Sequence, residues 1–183
     1  AYFISDSLHK MNVKRLVLDK LIEVEEQLEP YKALRYAKDM LKMYDSMANV
    51  TIYNKVATRL RLGENFFYVD SLQHALEEER KAYRMAMKAG DSNLLSYVRQ
   101  NLASTFEEMG EKDSCLYYAR LAYDLNAANR FSCLLTFASA YISVDSLNQA
   151  FSLLKQAMPK TAEDRYSLFY FQSQAAMKAQ DFK

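Results

Sequence analysis

Four times along this chain of 183 residues a small side chain returns at the same place in a helical pattern, and no other feature constrains the fold as much. The anchors are Ala33, Ala75, Cys115 and Ala150, spaced by 42, 40 and 35 residues. Twelve residues before each stand Leu21, Gly63, Ala103 and Ala138, mostly small. Nine before stand Val24, Phe66, Phe106 and Tyr141, large and mostly aromatic. Seven after stand Met40, Ala82, Ala122 and Ala157. A turn string repeats too: Val69-Asp70-Ser71-Leu72-x-x-Ala75 returns as Val144-Asp145-Ser146-Leu147-x-x-Ala150. Aligned columns with one large–small order define an internal helical repeat. Small residues between facing helices let their axes approach to roughly 8–10 Å.

The stretch Asn101 to Leu125 shows one unit. Leu102, Ala103 and Phe106 share a helix face, and Gly110 can take a positive φ without steric cost and end that helix. Asp113 and Ser114 suit the start of the next helix, whose Cys115, Ala119 and Ala122 line one face. The remaining spacing predicts a lead-in over Tyr2–Ser7, with Ser5, Asp6 and Ser7 as candidate caps, then helices over Leu8–Gln27, Tyr31–Met47, Val50–Tyr68 and Leu72–Ala89. Beyond the Asn101–Leu125 hairpin it predicts helices over Asn129–Ser143, Ser146–Met158 and Thr161–Ala179. In the first helix, Val13, Leu16, Val17, Leu21, Ile22, Val24 and Leu28 read as the apolar set. Pro30 fits a first turn, and Pro159 ends a helix.

Composition agrees. Three glycines and two prolines are too few for a β-sandwich of this size, and Ala, Leu, Lys, Glu, Met and Gln abound. The expected fold is all-α, a right-handed α-α superhelix of antiparallel helix hairpins. It reads as a single domain over residues 1–183, with repeats at about 8–47, 50–90, 92–126 and 128–159 and a partial one at 161–183. Phe169, Ser173, Ala176 and Gln180-Asp181-Phe182 fit the register of that partial repeat. Both ends read as cut, so the chain is expected to be part of a longer protein.

The pattern resembles the tetratricopeptide repeat (TPR) family. The resemblance rests on Leu62-Gly63-x-x-Phe66 with Ala75 and Ala82, and on Leu102-Ala103-x-x-Phe106 with Gly110, Cys115 and Ala122. Phe137-Ala138-x-x-Tyr141 with Ala150 and Ala157 completes it. It covers roughly Leu16 to the end. The first repeat departs at Lys20 and Leu21, no repeat has the family's early Trp, and the repeats of 40 and 42 residues have longer helices than the usual 34-residue unit. The long, Tyr-rich, Asp-Ser-Leu-punctuated array is also similar to repeat regions of bacterial (Bacteroidetes-like) regulators and sensors. The resemblance implies a solenoid whose first helices line a concave, non-catalytic binding groove. The contacts it implies are Leu60, Arg61 and Glu64, then Tyr97, Gln100, Asn101 and Ser104, then Leu135 and Ser139, and finally Tyr170 and Gln174, with Leu18 and Ile22 in the first repeat.

Reactive groups are sparse. His9 and His74 stand alone, no Cys-x-x-Cys or His-x-x-x-His pair exists, and three separated glycines make no phosphate loop. Neither a metal nor a cofactor is expected, and the chain does not read as an enzyme. Cys115 reads as a buried small hydrophobe. Glu23, Glu25, Glu26 and the run Glu77-Glu78-Glu79 read as solvated faces, with Glu77 pairing Lys81. The 24 basic and 23 acidic side chains nearly cancel, so the electrostatic footprint of a nucleic-acid binder is missing. No apolar run is long enough to cross a membrane as a helix. The partner expected is a protein or peptide segment, with a homo-oligomer through the open C-terminal repeat left open. Function reads as a regulatory or scaffolding protein-binding module. The alternative is the sensory, extracytoplasmic part of a membrane-anchored transcription regulator or signalling kinase. The compartment stays open between cytoplasm and periplasm.

Overall fold

The structure, a computed structural model, describes residues 2–47, 50–125 and 127–180, with side chains in the first helix described at Lys10 and from Val13 onward. Asp181 and Phe182 of the partial-repeat register lie outside the described residues. Among the described residues the elements are all helices: α1 (Tyr2–Leu28), α2 (Pro30–Asp45), α3 (Ile52–Tyr68), α4 (Leu72–Ala89), α5 (Ser92–Glu108), α6 (Lys112–Asp124), α7 (Arg130–Ser143), α8 (Leu147–Leu154) and α9 (Ala162–Gln180). They gather into two compact units, Ala1–Met85 and Ala86–Lys183.

The turns explain the repeated string. Gly110 has φ 74°, and Asp70 and Asp145 take the same left-handed conformation at 56° and 61°. In each case the next amide reaches back five residues: Ser71 N–H to the Phe66 carbonyl, Glu111 to Phe106 and Ser146 to Tyr141, all at 2.9 Å. This closure satisfies carbonyls left over at a helix end. Asp replaces Gly there because a short polar side chain tolerates φ > 0 better than most.

In the second unit, α5 packs on α6 and α7, and α7 on α8 and α9. Cys115, Ala119 and Ala122 are buried on α6, opposite Leu102, Ala103 and Phe106 of α5. Phe106 stacks on Tyr118 with centroids 5.5 Å apart. Ala138 and Ala150 repeat the arrangement between α7 and α8. In the first unit the equivalent close approach is at Gly63. A Cβ there would stand 3.1 Å from Glu79 Cγ and 3.4 Å from the Ala75 carbonyl oxygen.

Several expectations need correcting. Tyr2–Ser7 is no lead-in; it continues into α1. Val13, Leu16, Val17, Val24 and Leu28 are exposed, Val24 at 55%, so the large column fails in the first repeat. Among the described residues of α1 the buried ones are Leu18 and Ile22, set in a core with Ala33, Ala37, Met40, Tyr44 and Leu62 rather than in a groove. α1 carries apolar stripes on two sides, so spacing alone does not choose the one that faces α2. Glu78 and Glu79 are not solvated: they are 8% and 2% exposed. Glu78 pairs with Arg59 of α3 at 2.6 Å and with Lys81, so Lys81 serves Glu78 rather than Glu77. α6 begins at Lys112, which puts Asp113 in its first turn, where a negative charge favours the helix dipole. α8 ends at Leu154, four residues short of Met158. Its last amides tighten to Gln156→Leu153 at 2.9 Å and Ala157→Leu154 at 3.3 Å. Pro159 explains the early stop, because it disfavours helical geometry at Met158 and offers no N–H. α9 is opened by a reciprocal cap. Asp164 N–H donates to Thr161 Oγ1 at 3.0 Å, and Asp164 Oδ2 accepts from the Lys160 and Thr161 amides at 2.8 and 3.0 Å.

Candidate functional site

The expected contacts fall on the first helix of each hairpin, α3 in one unit and α5, α7 and α9 in the other. On α3, Leu60 is buried while Arg61 and Glu64 are half-buried. Arg61 is tied back to α1, its Nη1 3.6 Å from Glu26 Oε1. The same oxygen accepts from Asn65 Nδ2 at 3.1 Å, and that amide also donates to the Arg61 carbonyl at 2.8 Å. Arg61 is therefore held by a carboxylate rather than presented alone.

In the second unit, Tyr97 stands 46% exposed on α5, with Gln100, Asn101 and Ser104 half-buried beyond it. Gln100 is the centre of a polar seam between α5 and α7. Its Nε2 donates to Ser132 Oγ, and its Oε1 accepts from Asn129 Nδ2 at 3.1 Å. Ser96 Oγ donates to Asn129 Oδ1 at 2.6 Å and lies 3.1 Å from Cys133 Sγ. Ser104 Oγ donates to the Gln100 carbonyl at 3.3 Å. On α7, Leu135 is buried, while Ser139 is half-buried and donates to Glu107 Oε1 at 2.8 Å. On α9, Tyr170 and Gln174 are exposed. The structure thus gathers Gln100, Ser104 and Ser139 along the contact between α5 and α7, while Leu60 and Leu135 are buried in their own units.

Sequence reasoning missed Glu107, Asn129 and Ser132, which complete that seam. A signal did exist. Gln100–Ser132 and Glu107–Ser139 are each separated by 32 residues, and Asn65–Glu26 by 39. Each is three short of the anchor spacing, 35 or 42, so a first helix meets its neighbour about one turn out of register. Polar pairs at that offset are the signature that finds them.

Burial sets the electrostatics. It raises the Glu107 carboxyl above its ordinary value, against the Ser139 hydroxyl that favours the charged form, with Glu108 adding to the rise. Burial pushes the Cys115 thiol up to about 12 and raises Cys133 as well, so neither is a nucleophilic thiolate near neutral pH. His74 stacks on Phe66 at 5.1 Å and meets Ser71 Oγ at 2.9 Å, a place at the start of α4. Among the described residues no three His, Cys, Asp or Glu side chains converge as metal ligands, and no helix is long and apolar enough to cross a membrane. A dish of about 480 Å³ opens at the start of α7, with Asn129, Arg130, Ser132, Gln156 and Lys160 on its wall. Arg130 is occupied there, lying 4.3 Å over the Tyr123 ring and donating to its hydroxyl at 2.9 Å. What the first helices offer chemically is a row of amide and hydroxyl groups between exposed tyrosines, suited to hydrogen-bonding a chain laid across them.

No protein-family model and no curated protein sequence matches the chain. Solved structures do. A Podosopora anserina protein, described as a kinesin light chain with nearly identical TPR-like repeats, matches with TM-score 0.72 and 14% identity, over 93% of this chain and 85% of that one. The apo form of RapI matches with TM-score 0.68 and 15% identity, over 87% of this chain and 57% of that one. A signal transduction ATPase with numerous domains (STAND) and a tetratricopeptide repeat sensor, from Pyrococcus horikoshii, matches with TM-score 0.67 and 16% identity, over 84% of this chain and 24% of that one. The chain is thus an all-α protein of stacked helix hairpins. Its fold is that of the TPR-like repeat solenoids, as its small-residue seams and left-handed turns require.

Proposed function

We propose that this chain is a non-catalytic module that captures a protein or peptide segment on the face of its first helices, in a regulatory or scaffolding role. The observation that carries the reading is the row on α5 and α7, where half-buried Gln100, Ser104 and Ser139 lie beyond exposed Tyr97. Partly satisfied amides and hydroxyls beside an aromatic ring give a peptide both hydrogen-bond partners and an apolar anchor. Asn101 on α5 and Tyr170 and Gln174 on α9 extend the candidate surface of the second unit, where Leu135 is buried; Arg61 and Glu64, with buried Leu60, are candidate contacts of the first unit by itself. The TPR-like fold of the neighbours supports a protein partner. The near balance of charge gives no footing to nucleic acid. The whole of residues 1–183 acts as one module in this reading.

The test begins with peptides selected by display on the unaltered chain. Tyr97→Ala combined with Ser104→Arg should weaken the selected peptides by roughly tenfold or more, while Arg120→Glu on the exposed side of α6 leaves affinity unchanged. Affinity lost with Arg120→Glu and kept with the α5 pair would place binding on the second helices instead.

A second reading makes the chain the sensory part of a membrane-anchored transcription regulator or signalling kinase. The likeness to a STAND protein whose repeats are described as a sensor favours it. It predicts that peptide binding changes the activity of an output domain joined to the chain. Capture without such a change would leave the scaffolding role.

A further inference from the structure

We propose that the segment captured on α5 and α7 carries a basic side chain, Lys or Arg, and that Glu107 receives it. This rests on the capture proposed above and adds the chemistry of the partner. Glu107 stands in the last turn of α5 and is half-buried where that helix meets α7. Its Oε1 accepts from the Ser139 hydroxyl at 2.8 Å, a neutral donor. Among the described residues no Lys, Arg or His forms an ion pair with it. The surroundings deepen the deficit. Glu108 beside it carries the same charge, and the Cys115 thiol of α6, which feels the Glu107 charge, is held neutral by burial. The C-terminal end of α5, with no basic residue in its last turn, adds partial negative charge.

Where the chain draws other carboxylates into helix contacts, it supplies the cation itself. Glu78, 8% exposed, is held by Arg59 at 2.6 Å and Lys81 at 2.5 Å. Glu26 has Arg61 Nη1 at 3.6 Å. A carboxylate taken partly out of water is costly unless a cation joins it. Cations on the neighbouring helices are engaged elsewhere: Arg130 lies over the Tyr123 ring, and Lys178 holds Asp145. The place left open lies on the line of Gln100, Ser104 and Ser139, where the segment is proposed to sit. An incoming ammonium or guanidinium group meets an acceptor already oriented by Ser139. It gains a charge-assisted hydrogen bond where water is partly excluded and such bonds are strong. An acidic side chain at the same place would meet like charge. Glu107 thus selects among segments that the neutral amides and hydroxyls accept alike.

The test uses peptides selected by display on the unaltered chain, and copies in which each Lys or Arg is replaced singly by Gln. One basic position should stand out. Its replacement should weaken binding by roughly tenfold or more on the unaltered chain and hardly at all on Glu107→Gln, the two losses being one shared interaction. Glu107→Gln can still accept from Ser139, so the helix contact is kept. Glu107→Lys should prefer a copy with Glu at that position, and Glu108→Gln should leave the preference in place. Peptides that weaken with the Tyr97→Ala and Ser104→Arg pair but bind Glu107→Gln as tightly as the unaltered chain would overturn this inference and leave capture standing. A preference lost with Glu108→Gln and kept with Glu107→Gln would overturn it too. No selected binder, or binders indifferent to the Tyr97 and Ser104 pair, would overturn both readings together.

Discussion

At the scale of single residues, the fold depends on places where no larger side chain fits and on places where the backbone turns left. Ala122 is 1% exposed on the α6 face that meets α5. Replacing it with leucine adds three carbons to a filled seam, and the cost should be about 1–3 kcal/mol. Thermal unfolding of Ala122→Leu checks this; a midpoint equal to the parent's would mean that the seam lies elsewhere. Gly110 is a different case. A Cβ there meets nothing within 4 Å, so space is no obstacle, but φ is 74°. Gly110→Ala should therefore cost about 1–2 kcal/mol through the backbone alone. Urea unfolding should show the loss as a lower midpoint at unchanged slope, because the packed surface is the same. A neutral result would show that the turn relaxes without cost.

At the scale of elements, what was legible in the sequence depended on whether a helix has one apolar side or two. α5, α6 and α7 carry a single small-residue seam, and the columns at Ala103, Cys115, Ala122 and Ala138 name their buried faces directly. α1 has no Ala or Gly among its residues and two competing stripes, so the repeat columns point Val24 inward and Ile22 to the groove, the reverse of what the structure holds. The acidic run of α4 misled for a related reason. Periodicity counts Glu78 as polar and therefore exposed, whereas Arg59 on another helix makes its burial tolerable. Partners nineteen residues apart are invisible to a pattern within one helix. The α5–α7 seam gives this lesson a testable form. Burial raises Glu107, so the folded chain holds that proton more tightly than the unfolded chain does. The resulting penalty is absent below the ordinary carboxylate range. It sets in as pH rises through that range and is complete above the raised value. Glu107→Gln, which can still accept from Ser139, should raise the melting midpoint at about pH 7 and leave it nearly unchanged near pH 4. An equal shift at both values would assign the effect to packing instead of charge.

At the scale of the whole chain, the repeat itself was the most legible feature, because stacked hairpins must restate the same packing rule each time. The candidate surface was only partly legible. Columns place Gln100 and Leu135 at equivalent positions, yet Leu135 is buried and Gln100 is joined to Ser132 and Asn129. Helix spacing says which residues share a face; the turn-sized slip between neighbouring first helices decides which of them meet. That slip leaves a line of amides and hydroxyls across α5 and α7, the surface on which capture of a segment is proposed. Hydrogen exchange of the chain with and without a display-selected peptide measures this most directly. Slowed exchange is expected in α5 and α7 around Gln100, Ser104 and Ser139, with α6 and α8 unchanged. Protection confined to α6 and α8 would contradict capture on the first helices.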